Sequence, residues 1–341
     1  MKQFKKVMAA CLAVVMLLGL CACGAQKDQD KDADKGYKIA VVTKQEAMSW
    51  FVRMKTGVDK FAADTGYNVF QKGPEDLDAA QQVQVIEDMI AQGVDAICVV
   101  PIDPSAIEVV CKKARDNGIV VIAHEGSTLE NCDYDIEAFN NHQYGAFIMD
   151  NLAAAMGEKG VYTTMVALLT NASQNEWADG AVERQKEAYP NMTLLADEPR
   201  VESEGNTDTA YNRAKELFKK YPELKGIVGA SSYDAPGVAR AIEEMGLKGS
   251  AFTAGTGMPE ENAAILKDGY VSALTLWDPA DAGYAMCALA VKVLKGETIG
   301  NSLNLGLPGY ENCNFAEGSK KVLEGQGWIT ITADNVDSFG F

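Results

Sequence analysis

The chain is poor in the residues that build metal and redox centres. Its 341 residues include only 2 histidines, His124 and His142. No two cysteines of the body stand in a C-x-x-C spacing. A zinc or dithiol centre therefore has no template, and neither a metal nor a cofactor is expected. The G-x-S-x-G elbow, the P-loop and the H-E-x-x-H helix are missing too, so the common signatures of hydrolases, nucleotide enzymes and metalloproteases are absent. Gly255-Thr256-Gly257 lacks the third glycine of a dinucleotide fingerprint and reads as a tight turn. Positive charge is short, at 31 basic against 48 acidic residues and a net charge of −17. That balance excludes nucleic acid and direct binding to anionic headgroups as partners. After residue 20 no apolar run is long enough to cross a bilayer.

The one long apolar run lies at the start. Lys2, Lys5 and Lys6 precede an apolar stretch from Val7 to Leu20, which reads as an export signal. Leu20-Cys21-Ala22-Cys23-Gly24 resembles a bacterial lipobox, which assigns residues 1–22 to a signal peptide and Cys23 to lipidation. Cys21 is the poorer acceptor because the bulky Leu20 precedes it. Residues 23–36 hold no apolar side chain larger than Ala after Cys23 and read as a flexible tether. The expectation is an exported protein, lipid-anchored to the outer face of the cell membrane. Without the leader, 28 basic residues face 48 acidic ones. Five cysteines remain beyond Cys23, so at least one is unpaired within the chain. A Cys111–Cys132 bridge is one arrangement, and five buried free thiols the other.

From Tyr37 onward strands and helices alternate. Near-continuous apolar runs at 38–43, 96–100, 119–123 and 161–168 read as buried strands. Between them lie stretches of helical periodicity at 50–65, 78–92, from Pro104 to Gly118, and from Asn140 to Met156. Further strands are expected near 194–195, 226–229, 251–254 and 271–276. Buried apolar strands alternating with amphipathic helices predict an α/β fold with parallel sheets covered on both faces. About 300 residues is large for one core, so two doubly wound lobes joined by a multi-strand hinge are expected. The first lobe is read as 37–139 with 279–299, and the second as 140–278 with 300–341. Crossovers are placed at 132–140 and 275–279.

Open parallel sheets bind ligands beyond the carboxyl ends of their strands. In this chain those positions hold Lys44, Trp50, Phe51, Asp103, His124 and Glu125 in the first half. In the second half they hold Asn171, Ser173, Gln174, Trp177, Ser231, Ser232, Asp234, Thr256, Trp277 and Asp278. Three of the 4 tryptophans fall there. Planar polar side chains beside aromatic faces suit a sugar, which carries hydroxyls at its edge and C–H groups on its face. His124 reads as a hydrogen-bonding histidine. Asp278, followed by Pro279, also has the form of a helix cap.

The chain resembles the type I periplasmic sugar-binding proteins, and among them the autoinducer-2- and rhamnose-binding subgroup. The resemblance rests on Val42-Thr43-Lys44, Trp50-Phe51, Gly73-Pro74, Gln82 to Ile86, Gln174 to Trp177, Leu276-Trp277-Asp278 and Phe339-Gly340-Phe341. It implies a solute receptor that closes its lobes on a ligand and delivers it, as a monomer, to the permease and ATPase subunits of an ABC importer. A sensor of the same fold and an extracellular carbohydrate-active enzyme are the alternatives. In the autoinducer-2 receptors a lysine after the first strand holds the ligand, and Lys44 matches it. An aspartate falls at Glu125, an Asp-Gln pair at Ser173-Gln174, and two backbone contacts near Ala230 and Ser232. Lys44 and Gln174 are kept, Glu125 is a methylene longer and Ser173 drops a carboxylate. A pentose, deoxyhexose or polyol is thus implied as readily as autoinducer-2.

Overall fold

A computed structural model describes residues 36–341, of which Tyr37–Phe341 form one compact unit. The export signal, Cys23 and all of the tether but Gly36 lie outside the described residues. Within the body, the first sheet is built from β1 (Lys38–Val42), β2 (Asn68–Lys72), β3 (Ala96–Val99), β4 (Val120–Ala123) and β5 (Tyr134–Glu137). The helices α1 (Ser49–Thr65), α2 (Ala79–Ala91) and α3 (Pro104–Asp116) connect its first four strands. The chain then enters a second sheet through α4 (Asn141–Met156), β6 (Gly160–Val166), α5 (Ala172–Ala188), β7 (Met192–Leu194), β8 (Arg200–Glu202) and α6 (Thr207–Lys220). It continues through β9 (Leu224–Gly229), α7 (Asp234–Glu244), β10 (Phe252–Thr256), α8 (Pro259–Lys267) and β11 (Leu274–Trp277). Last come α9 (Pro279–Leu294), β12 (Asn314–Phe315), β13 (Val322–Glu324) and β14 (Trp328–Ile331).

The first sheet runs β12-β13-β5-β4-β3-β1-β2, and the second β14-β11-β10-β9-β6-β7, with β8 also on β6. Pairing is parallel except for β12 on β13 and β14 on β11. This is the expected α/β architecture of two doubly wound lobes. The tail departs from its expected place. The sequence places residues 300–341 in the second lobe, yet β13 pairs with β5 and extends the first sheet. Only β14 pairs in the second sheet. The chain therefore crosses between sheets three times, at 138–140, at 278 and at 325–327. The stretch 132–140, read as a crossover, contains β5. Its alternation Tyr134-Asp135-Ile136-Glu137 hides a strand buried at 135–137.

An aromatic residue stands in or beside each crossing, and Phe139 meets the other two. Phe139 contacts Trp277 edge-to-face at 5.0 Å and Trp328 at 5.8 Å. It also stacks on Tyr144 at 4.1 Å. One apolar cluster therefore runs through both lobes by way of the hinge. Helix α9 returns to the first lobe and presses on α1 at Gly57, where a Cβ would stand 1.8 Å from the Ala280 carbonyl oxygen. In the second lobe α4 and α5 approach as closely. A Cβ at Gly145 would lie 1.9 Å from the Trp177 carbonyl oxygen. No side chain fits at either place, and the second approach fixes the position of Trp177.

Candidate functional site

The carboxyl ends of the two sheets face one cavity. It is lined by Lys44, Trp50, Phe51 and Glu125 from the first lobe, and by Asn171, Gln174, Trp177, Ala230, Ser231, Ser232 and Thr256 from the second. Trp277 closes it from the hinge, and Met48, Leu77 and Ala167 complete the wall.

Three indoles form the apolar wall. Trp277 meets Trp50 edge-to-face at 4.7 Å and Trp177 at 5.4 Å. Two of them are oriented from behind. The Trp277 N–H donates to His124 Nε2 at 3.1 Å, and the Trp177 N–H donates to Asn141 Oδ1 at 2.8 Å. His124 Nδ1 lies 2.6 Å from the Ile136 carbonyl oxygen. A carbonyl only accepts and an indole N–H only donates, so this imidazole is neutral with its proton on Nδ1. Burial, aided by Lys44, lowers its pKa against the raising influence of Glu125 and the Ile136 contact.

The polar edge is a chain of three side chains. Lys44 Nζ contacts Glu125 Oε2 at 2.6 Å, and Ser173 Oγ approaches the same oxygen at 2.9 Å. Lys44 and Glu125 are both buried. Burial pushes the Glu125 carboxyl up, but the charge of Lys44 and the hydrogen bonds from Lys44 and Ser173 outweigh it and hold its pKa below the usual range. The Glu125 backbone is left-handed, at φ 57°. For a residue with a side chain that conformation costs on the order of 1 kcal/mol, and it recurs at functional sites. Ser173 belongs to the second lobe, so its contact with Glu125 spans the cleft. Gln174 is held through its Oε1, which accepts the Ala167 N–H at 2.7 Å. The Asn171 side chain caps α5 by accepting the Gln174 N–H. The Thr256 hydroxyl is 3.0 Å from the Tyr144 hydroxyl.

Four of the side chains nominated from sequence do not line the cavity. The Asp103 carboxylate caps α3, accepting from the Ser105 and Ala106 N–H groups. Asp278 caps α9 and makes a two-point ion pair with Arg53 at 2.9 and 2.6 Å. Asp234 is fully buried beneath the wall, where Oδ2 accepts the Ser231 N–H at 2.8 Å. Burial raises its pKa to about 7. Ser173 acts on the cavity through Glu125. For the three aspartates, a short side chain at a helix start was captured by backbone N–H groups or an ion pair before it could reach the cleft. Met48, Leu77 and Ala167 were missed, since none is polar or aromatic. Leu77 was findable only through the turn signals at 73–78. Among the described residues a single carboxylate, Glu125, lines the cavity. Glycoside hydrolysis needs two facing carboxylates.

The five cysteines of the body are free and buried. Among the described residues no group of three or more His, Cys, Asp or Glu side chains could hold a metal ion. Nor is any described helix long and apolar enough to cross a membrane.

Known proteins share this arrangement. Residues 39–298 match the family described as "Periplasmic binding protein domain". The D-allose-binding periplasmic protein of Escherichia coli is 28% identical over 271 residues, 76% of this chain and 85% of the relative. A xylitol-binding protein of Mycolicibacterium smegmatis is 26% identical, covering 86% of this chain and 82% of its own length. Among solved structures, LsrB from Clostridium saccharobutylicum in complex with AI-2 aligns with a TM-score of 0.80 at 19% identity, over 89% of this chain and all of that one (100%). At that identity the likeness concerns the fold. The chain belongs to the periplasmic binding protein family and has the type I fold of its sugar-binding members, receptors that work with ABC importers.

Proposed function

We propose that this protein captures one small, uncharged, polyhydroxylated molecule, a pentose, deoxyhexose or polyol, between its lobes and delivers it to an ABC permease with its ATPase. The observation that carries the reading is the cavity itself, with three indoles against the paired Lys44 and Glu125 and the anchored Gln174. Indoles offer faces for C–H groups, while the ammonium, carboxylate and carboxamide offer donors and acceptors for hydroxyls. Lys44 and Glu125 neutralise each other, which disfavours a charged ligand such as a sugar phosphate or sugar acid. D-allose, xylitol and D-ribose, named for relatives of this chain, are all neutral polyols or sugars.

The protein acts as a monomer on the outer face of the cell membrane, tethered through a lipid on Cys23. Lys44, Glu125 and Gln174 contact ligand hydroxyls, Trp177 and Trp277 stack on the ring, and Ala230 and Ser232 contribute backbone groups.

The test is titration with D-allose, D-ribose, xylitol, L-rhamnose and autoinducer-2, read by tryptophan emission and thermal shift. At least one should give a saturable emission change and a raised Tm. Silence across neutral sugars and polyols alongside a response to a charged solute defeats the proposal. Mass spectrometry of a membrane extract tests the anchor, with a diacylated Cys23 peptide expected.

A further inference from the structure

The cavity wall is tied to a second polar cluster, which sits behind the indoles at the first crossover. Asn141, the first residue of α4, joins the two. Besides accepting the Trp177 N–H, it donates from Nδ2 to Glu176 Oε2 at 2.6 Å, and the same nitrogen lies 3.3 Å from Glu137 Oε1. The other Glu176 oxygen accepts the Ser127 hydroxyl at 2.5 Å. Ser127 belongs to the loop after β4 in the first lobe, and Glu176 to α5 in the second. Their hydrogen bond crosses the cleft, and neither they nor Asn141 line the cavity.

The cluster sits in acidic surroundings. Asp135 and Glu137 are fully buried on β5, and burial raises both pKa values, that of Asp135 to about 7. For Glu137 the nearby Asp135, Glu176 and Glu125 raise it further.

We propose that the Ser127–Glu176 hydrogen bond is a latch that holds the lobes closed, and that Asn141 is the positioning residue that ties this latch to the Trp177 wall. The inference rests on the ligand-capturing role proposed above. The contact of Ser173 with Glu125 also spans the cleft, but it stands at the cavity edge, where a ligand hydroxyl can replace it. The latch stands outside the cavity, so it survives ligand entry and contributes to closure with or without ligand. A ligand stacked on Trp177 rests on an indole whose N–H is fixed by the residue that also fixes Glu176. Release then requires the latch to break, and the opening rate carries its strength.

The experiment is single-molecule energy transfer on the purified chain, with one dye on each lobe, measured first without sugar and then with the panel above. Removing a hydrogen bond to a charged group should speed opening about tenfold. Ser127→Ala and Glu176→Ala are expected to show that increase with an unchanged closing rate. Ser127→Thr keeps the hydroxyl and should open at the parental rate, while Glu176→Gln can accept from Asn141 and donate to Ser127 but lacks the charge, so it should open at a rate between the parent and Glu176→Ala. Asn141→Ala should open faster and also shift tryptophan emission, because the Trp177 N–H loses its acceptor. Parental opening rates in both Ser127→Ala and Glu176→Ala overturn the latch. So does fast opening in Glu176→Gln equal to that in Glu176→Ala. A sugar panel without response strikes the receptor reading, while the rates measured without sugar still judge the latch.

Discussion

The Trp277 indole N–H donates to His124 Nε2 at 3.1 Å, which ties a wall of the cavity, and the second crossover with it, to the end of β4. The partner of a donor must be an acceptor, so this contact exists only while His124 is neutral.

Acid should therefore undo it. Burial holds the folded-state pKa of His124 below the ordinary 6.5. The unfolded chain takes up a proton first, so the stabilisation is complete above pH 6.5 and is lost as pH falls through and below that value. His124→Gln can accept from Trp277 and donate to Ile136 without titrating. Its melting temperature, followed by circular dichroism from pH 7 to 5, should fall less steeply than the parent's. Parallel slopes would place the acid sensitivity elsewhere.

Asp234 predicts the opposite trend. Its pKa is raised from 3.8 to about 7 by burial. Its stabilising contribution is complete below pH 3.8 and is lost as pH rises through about 7. Oδ1 has no hydrogen-bond partner, while Oδ2 holds the Ser231 N–H. Asn at this position can keep the accepting oxygen and place its amide where Oδ1 stands. Asp234→Asn should match or exceed parental stability at pH 8, by about 1 kcal/mol in urea unfolding, with the gap shrinking toward pH 5. A variant that is weaker at pH 8 than at pH 5, relative to the parent, contradicts this.

Lys44 is the only lysine or arginine within 4 Å of Glu125 among the described residues. Lys44→Met strands a buried carboxylate, and the loss of one partner of a buried pair costs about 3–5 kcal/mol. Lys44→Met with Glu125→Gln should recover most of that stability but not ligand binding. Denaturant midpoints separate the two effects, and a single variant as stable as the double would show that the pair matters little.

Gly145→Ala should destabilise by about 3 kcal/mol, because the new Cβ meets the Trp177 carbonyl with backbone on both sides. Calorimetry checks this, and a parental Tm would mean that α4 and α5 can separate at little cost.

Much of the fold was legible, because buried parallel strands are runs of apolar residues and their helices carry a clear period. The miss at β5 has a physical cause. Asp135 and Glu137 are buried acids, and a pattern that equates burial with apolarity reads them as loop. The tail failed for another reason. Strands of two to four residues, such as β12 to β14, carry too little periodicity to reveal which sheet they join. At the site, large side chains after strands were legible as Lys44, Trp177, Gln174 and Trp277. Which of several acids faced the cavity was not, because capping and cleft-facing aspartates share the same place in the chain. The latch was invisible, since Ser127, Asn141 and Glu176 meet only in three dimensions.

The five buried thiols bear on how this protein matures. Burial raises the pKa of Cys111 and Cys313 to about 12 and drives Cys98 and Cys132 up as well. Thiolate, the species that attacks disulfides and oxidants, is therefore scarce once the body is folded. Among the described residues no disulfide has to form, so folding of the body calls for neither an oxidant nor a disulfide isomerase. The interval between export and folding is then the time when these sulfurs are exposed to damage.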